Sequence, residues 1–131
     1  MNVQRDKMEY PLLDKSTVSK YLPLMDSQGV SMVSRGFAPS TQTNKGFLQV
    51  FYTGNIKKKA TKNQTWLERR TNFIKRHYRE GRKLYKLDGS PTRLHLALVA
   101  WAFSPDPKGL KRYAQKNGLK NRVVKKYVMI E

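Results

Sequence analysis

Few residues in this chain of 131 could carry acid–base or metal chemistry. There are two histidines, His77 and His95, with Asp88 between them, nine acids in all, and no cysteine. A metal-dependent nuclease built on His77, His95 and Asp88 would need all three drawn into one site. Nothing local enforces that: no H-x-x-x-H spacing sets two imidazoles on one helix face, and there is no glycine-rich phosphate loop or nucleophile elbow. Each histidine interrupts an otherwise apolar helical stretch, so both are expected as hydrogen-bonded boundary residues. Without cysteine there is no disulfide, thiolate zinc site or cysteine nucleophile. The expectation is a protein that is not an enzyme and that uses no cofactor and no metal.

What the chain does supply is positive charge. Lys and Arg number 27, the formal net charge is +18 and the pI is near 10.4. Such an imbalance repels itself in a compact state, so it points to a polyanionic partner. The charge is uneven: residues 1–54 carry six bases and four acids (+2), 55–93 carry thirteen and three (+10), and 94–131 carry eight and two (+6). The densest stretch is "ERRTNFIKRHYREGRK", residues 68–83. Arg69, Lys75, Arg76, Arg79, Arg82 and Lys83 form a first candidate phosphate-contacting set. Lys108, Lys111, Arg112 and Lys116 form a second.

These side chains need elements to position them. Residues 64–80 are expected as an amphipathic helix, with Asn63 as N-cap and Gly81 just past its end. Trp66, Leu67, Phe73, Ile74 and Tyr78 fall on one arc of it, and Arg69, Lys75, Arg76 and Arg79 on the other. Arg70 falls within the apolar arc and is expected to run its stem along the core and reach outward. Ser90-Pro91 reads as the start of a buried helix over 91–103, ended by Ser104-Pro105. Arg93, in that helix's first turn, opposes the helix dipole, so it is expected to meet a phosphate or another specific anionic or carbonyl partner. Asp106-Pro107 starts a third helix over 107–117, closed by Gly118.

The flanks are expected to be different. Residues 46–53, GFLQVFYT, read as a strand. Residues 122–130 read as a second strand, able to pair with the first, and 55–62 as a lysine-rich linker. Residues 1–45 read as an extended arm with one weak helix near Lys15 to Tyr21, stopped before Pro23. The expected fold is therefore α+β and mostly helical: a small three-helix unit with one or two strands and an extended N-terminal arm. The arm is 1–45 and the basic helical domain 46–131.

Two binding motifs fit poorly. "KGFLQVFY", residues 45–52, partly matches the RNA-recognition signature, but Leu48 and Gln49 stand where a small residue and a stacking aromatic belong, and the strands of that sheet are missing upstream. The helices 91–103 and 107–117 could form a helix-turn-helix, but SPDP is an unusual turn. Phosphate contact without base readout is a simpler use of the same cations.

Residues 69–101 resemble a family of small basic proteins of unknown function from tailed phages, notably those of marine bacteria. The residues that carry the resemblance are Arg69, Arg70 and Phe73, the turn Gly89, Pro91, Thr92 and Arg93, then Leu96, Ala97, Leu98 and Trp101. The resemblance implies a phage or virus setting and a compact two-helix unit; it implies no activity. With the charge, it leads to the expectation of a structural virion component that meets the phosphate backbone of nucleic acid within a multi-subunit assembly. One alternative is a minor capsid or cement protein that binds acidic capsid proteins through its arm and the aromatics Phe37, Phe47 and Phe51. Another is a ribosome-type RNA scaffold protein. The longest apolar run, Leu96 to Phe103, is too short to span a bilayer, and the first residues hold no apolar signal core, so the expected place is the virion or otherwise the cell interior, with no membrane partner.

Overall fold

The N-terminal helices are written into short local signals. In a computed structural model that describes residues 10–30, 47–53, 56–120, 123–125 and 128–130, Asp14 caps α1 (Lys15–Lys20) by accepting the Thr17 N–H at 3.1 Å. A second helix, α2 (Leu22–Ser27), follows at once. Pro23 lies in its first turn, where a missing N–H costs nothing. Segment 10–30 is thus not an extended arm where it is described. Val18, Tyr21, Leu22 and Met25 are buried, and the Tyr21 hydroxyl donates to the Leu110 carbonyl at 2.6 Å.

The strand expected over 46–53 is instead helix α3 (Phe47–Thr53). Phe47, Leu48 and Phe51 share one helical face, and with Val50 all are buried. A short aromatic and β-branched run satisfies either period, and packing decides which forms. Here the Phe47 ring lies 5.1 Å from that of Trp101. The lysine-rich segment after it is not a plain linker. It holds β1 (Lys59–Thr61), paired antiparallel with β2 (Gln64–Thr65).

The hairpin leads directly into α4 (Trp66–His77). Its N-cap is Thr65, not Asn63, in a reciprocal capping box with Glu68 at 3.0 and 2.8 Å. Three cationic or ionisable residues, Lys75, Arg76 and His77, occupy the last turn, where the dipole favours them. The buried helix α5 (Arg93–Val99) is shorter than expected at both ends. Thr92 caps it, while Ser90 and Pro91 belong to the preceding turn. The chain leaves α5 through Ala100–Ala102, and Ala102 holds a left-handed φ of 57°. The last helix, α6 (Pro107–Lys116), has the expected Asp106 cap and Pro107 start, with Gly118 at φ 66° beyond its end.

The C-terminal segment forms β3 (Val123–Lys125) and β4 (Val128–Ile130), which pair with each other and not with residues 46–53. About half of the chain is helical, and the small sheets are two-stranded, so the fold is mostly helical α+β. Trp101 sits at the centre of the main core, its ring 5.0 Å from Phe73 and 6.4 Å from Trp66.

Candidate nucleic-acid interface

Apart from Arg69, near the start of α4, the first expected set lies on the C-terminal half of α4 and the segment after it. Lys75, Arg76, Arg79, Arg82 and Lys83 are all exposed. Arg69 is half-buried, its guanidinium 5.3 Å from the centre of the Trp66 ring. In the second set, Lys108, Arg112 and Lys116 recur every four residues, so they form one exposed row along α6. Lys111 pairs with Asp14 at 3.5 Å across two exposed side chains, a contact that adds little to stability. Arg93 is exposed and donates to the Gly29 carbonyl at 3.2 Å, the carbonyl partner its position demanded.

The two sets are joined by a hairpin that sequence inspection marked only as an Asp88-Gly89 turn. Thr92 N–H donates to the Leu84 carbonyl at 2.9 Å, and Lys86 N–H to the Ser90 carbonyl at 2.7 Å. On one side, Arg82 lies close enough to His77 to help lower its pKa, after partial burial and together with Arg76. On the other, the Tyr85 hydroxyl donates to Asp106 at 3.0 Å, and Tyr85 also feels the charge of Arg112. Burial and that bond to the carboxylate raise the Tyr85 pKa, so its hydroxyl stays protonated. The hairpin therefore joins the end of α4 to the start of α6, with Arg82 near His77 and Arg112 near Tyr85. Acids here are few: Glu80, Asp88, whose carboxylate accepts from Ser90, and Asp106, whose carboxylate accepts from Tyr85 and the Gly109 N–H.

Three residues that looked able to do chemistry have other roles. Asp88 closes the turn, with its pKa lowered by the Ser90 hydrogen bonds. His77 is exposed and packs its ring, tilted, against Phe73 with the centroids 4.3 Å apart, instead of sitting hydrogen-bonded at a boundary. His95 is fully buried, with Nδ1 at 3.0 Å from the Leu84 carbonyl and Nε2 at 2.7 Å from Ser104 Oγ. A carbonyl only accepts, so Nδ1 carries the proton and Nε2 accepts from the Ser104 hydroxyl. Ser104 Oγ in turn accepts the Asp106 N–H at 2.9 Å. Among the described residues no three His, Asp or Glu side chains converge as a metal set.

This neutral imidazole has a consequence for stability. Burial lowers the His95 pKa, opposed by its bond to Leu84 and by Asp106. The unfolded chain therefore binds protons that the folded chain does not, and stability falls as pH drops below an ordinary imidazole pKa of about 6.5. Urea unfolding is expected to show a lower free energy at pH 5 than at pH 7.5, with a smaller difference in His95→Gln. His77, also lowered, contributes in the same direction, so His77→Gln serves as the comparison. An unaltered pH profile in His95→Gln would remove this histidine as the cause.

Gly109, in the first turn of α6, is set by the same cluster. A Cβ there would collide with the Asp106 carboxylate and the Tyr85 hydroxyl. Helix propensity alone favours Ala by about 1 kcal/mol. Gly109→Ala is nevertheless expected to destabilise by about 1–3 kcal/mol, because the side chains must move apart in a packed site. A raised urea midpoint would show that the Tyr85–Asp106 contact shifts freely.

Two of the three expected partner aromatics are not available. Phe47 and Phe51 are 0% and 7% exposed, taken up by the chain's own core, and Phe37 lies outside the described residues. Arg70, missed as a key residue, does not reach outward at all: it is 0% exposed. Its guanidinium donates to the carbonyls of Trp101 (2.6 Å), Tyr10 (2.6 Å), Pro11 (3.2 Å) and Ala102 (3.0 Å). Its interruption of the apolar arc was the visible signal. A cavity of about 450 Å³ beside the start of α4 is lined by Asn63, Gln64, Leu67, Glu68, Thr71 and Asn72, and Glu68 there is committed to the capping box.

Comparison with known proteins found no matching family model, no matching curated protein and no matching solved structure. Among the described residues no helix is long and apolar enough to cross a membrane.

Proposed function

We propose that this chain is a nucleic-acid-binding structural component of a virus particle, of the tailed-phage kind that residues 69–101 resemble, and that it neutralises phosphates without reading bases. The observation that carries the proposal is the set of exposed cations on linked elements: Arg76, Arg79, Arg82 and Lys83 at and after the end of α4, and the row Lys108, Arg112 and Lys116 on α6, which the Tyr85–Asp106 hydrogen bond ties to the intervening hairpin. Exposed cations with so few acids among them gain most from a dense line of phosphates. A capsid-cement role through Phe47 and Phe51 loses those side chains to the core. The test is binding of the purified chain to a labelled random-sequence duplex across salt. An affinity loss of about 10³–10⁵ between about 50 and 200 mM salt is expected for about six to ten phosphate contacts. Weak binding with a flat salt response would overturn the proposal and turn attention to acidic protein surfaces. Equal or tighter binding to a structured RNA would favour the RNA-scaffold alternative.

A further inference from the structure

Leu87 is the exposed large hydrophobic residue of the described chain, with 106% relative accessibility. It stands at the tip of the hairpin between Leu84 and Thr92, immediately after Lys86. This tip is not a loose loop. Gly89 N–H donates to the Lys86 carbonyl at 2.9 Å, and Gly89 itself holds φ 91°, the left-handed position that a three-residue hairpin loop requires. Asp88 accepts from the Ser90 N–H and hydroxyl at 2.9 and 2.6 Å. The base is anchored at separate points: His95 to the Leu84 carbonyl, Thr92 Oγ1 to the Lys83 carbonyl at 2.9 Å, and Tyr85 to Asp106. The fold thus holds a branched apolar side chain out in water on a stiff, doubly braced projection. Lys86 is its immediate neighbour in the chain, Lys83 stands at the hairpin's base, and Arg82 and Arg112 lie near that base.

We infer that this hairpin is a wedge for duplex DNA: Leu87 enters between adjacent base pairs from the minor groove while Lys86 beside it and Lys83 at the hairpin's base hold backbone phosphates. The inference deepens the proposed nucleic-acid binding and rests on it. Apolar wedges of this type unstack one step and kink the duplex without reading its sequence, which suits binding that is otherwise purely electrostatic. The surrounding charge selects DNA over an apolar protein pocket as the occupant, since a protein pocket would have to desolvate those cations. Asp88, the one acid beside Leu87, is turned into the loop by its bonds to Ser90.

The test reads DNA topology, which phosphate neutralisation by itself does not alter. Closed circular DNA is relaxed by a topoisomerase in the presence of the full chain, and the topoisomer distribution is measured after protein removal. The wild-type chain is expected to shift the distribution, because wedging unwinds the helix. Leu87→Ala is expected to abolish the shift and to weaken duplex binding about tenfold, as loss of one buried leucine would, with the salt slope unchanged. Leu87 makes no core contact, so its replacement leaves the urea midpoint in place as a check on folding. If the wild type binds with a steep salt slope but Leu87→Ala matches it in topology and affinity, the wedge is wrong and phosphate binding stands. If the wild type does not bind duplex DNA, both fall.

Discussion

Arg70→Met is expected to cost about 3–5 kcal/mol of folding stability, because several buried carbonyls lose their donor together. Total stability of a single domain is about 5–15 kcal/mol, so this one side chain decides whether the chain folds securely. A buried guanidinium normally meets a carboxylate. Among the described residues it meets carbonyls, and burial lowers its pKa to about 10, which still leaves it charged at neutral pH. Two of its acceptors, Trp101 and Ala102, lie just past the end of α5, where unsatisfied carbonyls and the negative end of the helix dipole favour a cation. The other two, Tyr10 and Pro11, belong to the strand of chain leading into α1. Arg70 therefore bolts three segments together. Ala102 keeps the Leu13 N–H at 2.8 Å when Arg70 is removed, but the Trp101, Tyr10 and Pro11 carbonyls lose the bonds described. Each buried acceptor left open costs about 1–3 kcal/mol. Lysine has a single nitrogen and cannot span all these carbonyls, so Arg70→Lys should recover only part of the loss. Urea unfolding followed by Trp66 and Trp101 fluorescence reads both variants. A loss in Arg70→Met below about 1 kcal/mol would mean the carbonyls find water or new partners. Early proteolysis near residues 10–13 in the variant would confirm which segment is released.

Arg70 also shows where sequence reasoning stops. Its place inside the apolar arc of α4 was visible, and so was the conflict. The resolution was not, because the acceptors come from positions 10, 11, 101 and 102 and converge only in the fold. The same holds for α3. FLQVFYT fits a strand or a helix by pattern, and the face that Trp101 and Phe47 share is what selects the helix. Features with local causes were legible. The Asp106-Pro107 start, the amphipathic course of α4 and the basic row of α6 all follow from residues a few positions apart. So did the short helix after Asp14. Pro91 misled because a Ser-Pro start and a hairpin strand look alike until Tyr85 is seen across from it. The cations were legible as a set, but the hairpin that links their elements depends on contacts from Leu84, His95 and Asp106.

That linkage sets the largest functional effect. Replacing Arg79, Arg82 and Lys83 together by Ala is expected to lower the salt slope of duplex binding by about 3, roughly 1 for each phosphate contact removed. At low salt this corresponds to a loss of several hundredfold or more in affinity, since every lost contact also forfeits its released counterion. The lysines in and around the β1–β2 hairpin provide the contrast. Lys58, Lys59 and Lys62 are equally exposed and carry the same total charge, but none of the contacts that connect α4, the hairpin and α6 reaches them. Their triple replacement should leave the slope nearly unchanged, with only the small general weakening that a lower net charge brings. These substitutions sit on exposed positions, so urea midpoints should stay close to the wild-type value. If both triple variants weaken binding equally, the chain behaves as an undirected polycation, and no particular face of it is the interface. If only the first does, the phosphate path runs from the end of α4 across the hairpin to α6, and the position of Leu87 at the crest of that path acquires its meaning.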